Sequence, residues 1–84
     1  MEDSFRYRGF DISVSARRLL NGRYRTQHVV VPMTDEAFLA AGGVPRLASA
    51  MEVPGRGTDP KAQALQFTIA AAKAFVEELY KTKL

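Results

Sequence analysis

Two alternating runs on either side of Asn21-Gly22 constrain the fold of this chain more than any other feature of its sequence. In "FDISVSAR", Phe10, Ile12, Val14 and Ala16 fall on one face and Asp11, Ser13, Ser15 and Arg17 on the other, the period of two that a half-buried strand requires. The run "RYRTQHVVV" begins just beyond the pair. Both central residues of a type I′ turn need positive φ, and Asn and Gly tolerate it best, so Asn21-Gly22 predicts a two-residue hairpin. That turn sets Ala16 opposite Gln27, Val14 opposite Val29 and Ile12 opposite Val31. Ile12, Val14, Val29 and Val31 are then expected to share the buried face. The other face is expected to hold Ser13, Ser15, Arg17, Tyr24, Thr26, His28 and Val30. Pro32 removes a ladder donor and should end the second arm.

Downstream, Thr34 or Asp35 can cap a short helix that Gly42-Gly43 ends. Residues 46–53 alternate between two prolines and predict a third strand, antiparallel to one hairpin arm. A long helix should start at Pro60, with Thr58 or Asp59 as its cap, and run to about Tyr80. At 100° per residue, Leu65, Ile69, Ala72, Val76 and Leu79 form its apolar stripe, with Ala62, Phe75 and Tyr80 at the margins. The opposite side mixes Gln63, Gln66, Glu77 and Lys81 with Phe67, Ala70, Ala71 and Ala74. A phenylalanine among small residues there suggests a protein contact, although alanines also serve helix propensity alone.

The net charge of +3 is uneven along the chain. Residues 1–28 carry six arginines against three acids, while residues 29–84 carry six basic and six acidic groups. The excess is therefore all arginine and all in the hairpin region. Arg17, Arg18, Arg23 and Arg25 crowd around Tyr24, with His28 on the same arm. Arginine suits planar, bidentate contacts to phosphate or carboxylate, so the cluster is either an anion-facing surface or a solvated turn. Arg56 and Lys61 flank a second candidate anion site, where Gly55 and Gly57 precede a helix start.

Catalysis has little support. The chain has one histidine and no cysteine, so thiolate and multi-histidine metal sites are excluded, and no metal or cofactor is expected. Ser15 and His28 are neighbours in the expected register, but no orienting carboxylate or oxyanion donor accompanies them. The absence of cysteine and of an apolar leader makes cytoplasmic residence the expectation, and no run reaches the length of a membrane span.

The stretch "MEVPGRGTDPKAQALQFTIAAAKAFVEELY" resembles the last strand, loop and Ala-rich helix of double-stranded RNA-binding domains, with Lys61 matching the phosphate-binding lysine cluster. A broader resemblance, carried by "YRGFDISVSA", "GRYRTQHVVV" and the capped last helix, is to small uncharacterised bacterial single-domain proteins. It implies a bacterial origin and contributes no site residues.

The expected fold is α+β over residues 1–84. A three-stranded antiparallel sheet in the order β-β-short α-β-α carries the long C-terminal helix on one face, and residues 1–6 are flexible. The expected function is a non-enzymatic protein-interaction or self-associating module. Its partner is a second copy or another protein at Phe67, Ala70, Ala71 and Ala74. The alternative is an RNA- or DNA-binding module that uses the hairpin arginines and Tyr24, a surface that would also suit an acidic protein. No membrane partner is expected.

Overall fold

The computed structural model describes residues 2–55 and 57–82. Its elements run β1 (Glu2–Tyr7), β2 (Phe10–Arg18), β3 (Tyr24–Pro32), α1 (Asp35–Ala40), β4 (Leu47–Val53) and α2 (Pro60–Thr82). The strands form one antiparallel sheet in the order β1-β2-β3-β4, and α2 packs chiefly on β2 and β3. This is the α+β arrangement expected from the sequence, with one correction to the strand count. Glu2–Tyr7, which the expected three-stranded sheet leaves out, pairs along its length with β2, from Glu2 opposite Ser15 to Tyr7 opposite Phe10. The sheet therefore has four strands.

The two-residue loop expected at Asn21-Gly22 is found instead at Arg8-Gly9. Between β1 and β2, Arg8 and Gly9 both have positive φ, 49° and 84°, and close a two-residue loop. Left-handed backbone costs a non-glycine residue roughly 1–2 kcal/mol, and Arg8 is held there by α2. Its carbonyl accepts a 2.7 Å hydrogen bond from the Tyr80 hydroxyl, its guanidinium lies 4.5 Å from the Tyr80 ring centre, and it pairs with Glu77. Between β2 and β3, only Gly22 has positive φ, at 83°. Gly22 N–H donates to the Leu19 carbonyl at 3.1 Å, and Leu19 N–H donates to the Arg23 carbonyl at 2.8 Å. The loop is thus three residues long, with Gly22 in the left-handed position that closes such loops. Asn21 caps the turn instead, its Oδ1 accepting from Arg23 N–H at 3.0 Å.

One extra loop residue moves the register by one and reverses every side chain of β3. Ile12 faces Val30, Val14 faces His28 and Ala16 faces Thr26, in place of Val31, Val29 and Gln27. The physical reason lies in what each register buries. The expected one would have placed Arg25 and Gln27 under α2 along with two valines. The observed one buries Tyr24, Thr26, His28 and Val30, and leaves the arginine in water. Val29 and Val31 become half-buried residues of the outer face.

Both helices start as the sequence indicates. Thr34 Oγ1 accepts from Ala37 N–H at 3.0 Å and caps α1, which closes through Gly42 and Gly43 at φ 72° and 78°. Asp59 Oδ1 accepts from Ala62 N–H at 3.2 Å, with Pro60 at the first helical position of α2. β4 pairs antiparallel with β3, as expected for residues 46–53. Leu65, Ala72 and Val76 are buried as the stripe requires, whereas Ile69 and Leu79 are only half-buried. The stripe is centred closer to Ala64 and Thr68. Thr68 can be fully buried because its hydroxyl donates to the Ala64 carbonyl at 2.8 Å. Phe10, Ile12, Val14, Val30 and Val76 fill the centre of the core.

Candidate functional site

The register decides which candidate residues reach solvent. Residues directly opposite one another across paired strands share a face, so Arg17 and Arg25, which pair, lie together on the face away from α2. Both are exposed, and neither has an ion-pair partner among the described residues. Arg18, which the register of a two-residue Asn21-Gly22 turn would set opposite Arg25, faces Tyr24 at the end of the ladder. Arg23 forms a 2.8 Å ion pair with Glu52 of β4, so one of the four hairpin arginines already meets an acid within the chain.

Tyr24 and His28 are not on the outer face. Their side chains are 7% and 5% exposed beneath α2, which removes Tyr24 as an accessible stacking surface. Ser15 faces Gln27 and lies on the other side of the sheet from His28. Arg56 lies outside the described residues. Lys61 is half-buried in the first turn of α2.

His28 sits against Phe75, with ring centres 5.8 Å apart, and its Nε2 has no hydrogen-bond partner among the described residues. Burial holds its pKa below the ordinary value of 6.5. The unfolded chain therefore binds the proton more readily than the folded one. Stability from this residue is fully present above pH 6.5 and is lost as pH falls below 6.5 towards the lowered folded value. Thermal melting should accordingly move to lower temperature between pH 7 and pH 5, and His28→Leu should flatten that slope. An equal slope in the variant would place the titrating group elsewhere.

The second candidate cluster is accessible but placed differently from expectation. Phe67 is 55% exposed, Ala70 and Ala74 are exposed, and Ala71 is half-buried. Phe67 does not point straight away from the sheet. It helps to line a crevice of about 320 Å³ with Val53, Pro54, Gln63 and Ala64, so this flank of α2 overhangs the end of β4. At 100° per residue Ala71 and Ala74 continue the same flank towards the C-terminus of the helix. The opposite flank is occupied: the Lys73 ammonium stands 5.7 and 5.5 Å from the ring centres of Phe5 and Tyr7, and Tyr80 meets Phe10 edge-on at 5.9 Å.

Sequence reasoning missed the partner of that free flank, the outer edge of β4. Leu47–Val53 pairs only with β3, so its far side presents unpaired backbone groups. Ala48, Ser49 and Ala50 in its middle are all exposed. Among the described residues no helix is long and apolar enough to cross a membrane. No family model, no curated protein and no solved structure matches the chain.

Proposed function

We propose that this chain is a non-enzymatic, self-associating interaction module whose contact surface is the shoulder formed by the Phe67 flank of α2 and the edge of β4. The observation that carries the reading is Phe67, an aromatic ring 55% exposed beside an apolar crevice at the rim of the sheet. Exposed Leu20 stands alone at a hairpin tip, and isolated apolar residues of that kind are ordinary. Phe67 instead adjoins small side chains that allow close approach and a strand with open hydrogen-bonding capacity, the combination an interface core uses.

The nucleic-acid reading now has less support. Arg17, Arg18 and Arg25 remain available for phosphate. With Tyr24 buried, however, the face that carries Arg17 and Arg25 has no aromatic ring among the described residues, and base stacking needs one.

Sedimentation across a concentration range tests the proposal. The wild type should grow in mass as concentration rises. Phe67→Glu should weaken association by about 30-fold or more, the loss of an aromatic anchor worth roughly 2 kcal/mol. Its melting temperature should hardly change, because the side chain is largely outside the monomer core. A wild type that stays monomeric at millimolar concentration overturns the proposal.

A further inference from the structure

Resting on that self-association, we infer that two copies join their β4 strands antiparallel about a two-fold axis through Ser49, making one continuous eight-stranded sheet. The two edges of the sheet differ in how they are protected. β1 carries Asp3 and Arg6, and Lys73 stands over its Phe5 and Tyr7. Charge on an edge discourages pairing. β4 has no lysine and no internal proline, and its one charged residue is Glu52.

Geometry narrows the register. A two-fold axis normal to the sheet keeps both α2 helices on one side, and facing residues must then point to the same face. Only partners of equal parity satisfy this, so residue 49 can face its twin but residue 49 cannot face residue 50. Centring on Ser49 places Leu47 against the partner's Met51 and Ala48 against the partner's Ala50. It also places Arg46, exposed and without an ion-pair partner among the described residues, opposite the partner's Glu52. The two-fold axis makes that attraction twice. Centring on Ala50 instead puts Arg46 opposite proline and Glu52 opposite alanine, so charge complementarity selects Ser49.

The same arrangement gives Phe67 an occupant. With α2 over β2 and β3 and strands about 4.8 Å apart, the two helix axes stand roughly 20 Å from each other across the joined edges. Direct helix packing needs about 8–10 Å, so the gap must be filled from both sides. Phe67 of each copy, 55% exposed beside Val53 and Pro54 at the end of β4, faces that gap.

Because the chain contains no cysteine, a single introduced thiol reports the register. Ser49→Cys should form a disulfide-linked dimer with glutathione disulfide about tenfold faster than Ala48→Cys or Ala50→Cys alone, because only position 49 lies within disulfide reach of its twin. Ala48→Cys mixed with Ala50→Cys should cross-link as well, since those two positions face each other. Arg46→Glu should weaken sedimentation-detected association and Arg46→Glu with Glu52→Arg should restore it. If the wild type associates but Ser49→Cys cross-links no faster than Ala48→Cys, the register is wrong and self-association stands. A monomeric wild type removes both.

Discussion

Phe10→Ala should lose about 3–5 kcal/mol, the cost of deleting a buried aromatic ring that its surroundings cannot close over. Phe10 is fully buried at the start of β2, faces Tyr7 of β1 and Pro32 of β3, and receives the Tyr80 ring edge-on from the last turns of α2. One side chain thus joins the first hairpin to the last helix, contacts far apart in the chain. A domain of this length has a total stability of only about 4–12 kcal/mol. Thermal denaturation followed by circular dichroism should therefore show a drop of roughly 15–30 °C, or no cooperative transition at all. A loss below about 1 kcal/mol would mean that the Tyr7, Phe10 and Tyr80 cluster can repack around the hole.

The same cluster shows where a sequence can be read and where it cannot. Helix boundaries depend on neighbours a few residues away, and the Thr34 cap, the Asp59-Pro60 start and the paired glycines after α1 appear where their chemistry places them. β1 is harder. Its closing turn puts Arg8 at positive φ, which residue type argues against, and the groups that hold it there, Glu77 and Tyr80, are about seventy residues downstream. The β2–β3 register turned on whether Asn21 or only Gly22 takes positive φ. The sequence did carry a signal for that choice: one face of β3 offers Arg25 and Gln27, the other Tyr24 and Thr26, and an arginine under a helix is the costlier burial.

The candidate surfaces divide in the same way. Arg17, Arg25 and the Phe67 group were identifiable as types, because charge clusters and misplaced aromatics are local features. The face they occupy was not, since a one-residue slip moved Tyr24 and His28 into the core. The edge of β4 was still less visible. Whether a strand is central or terminal is a property of the whole sheet, and nothing within "LASAMEV" records it.

Gly9→Ala should cost about 3 kcal/mol and Gly22→Ala only about 1 kcal/mol, although both glycines have nearly the same positive φ, 84° and 83°. The backbone strain of placing an L-residue there is common to both. Space separates them. A Cβ on Gly22 meets nothing within 4 Å, because the loop projects into solvent. A Cβ on Gly9 meets Thr34 Oγ1 at 2.9 Å and Ala37 Cβ at 3.3 Å. Thr34 cannot simply rotate away, since its Oγ1 is the acceptor that caps α1, and losing such a cap costs about 1 kcal/mol on its own. Gly9 also accepts from Met33 N–H at 2.8 Å, so the turn is tied to the entry of α1 by its backbone as well. Urea denaturation of the two variants separates the effects, with the difference in midpoint measuring the close approach alone. Equal losses at the two positions would mean that α1 yields freely to the first hairpin, and that the contact between Gly9 and Thr34 carries no stability.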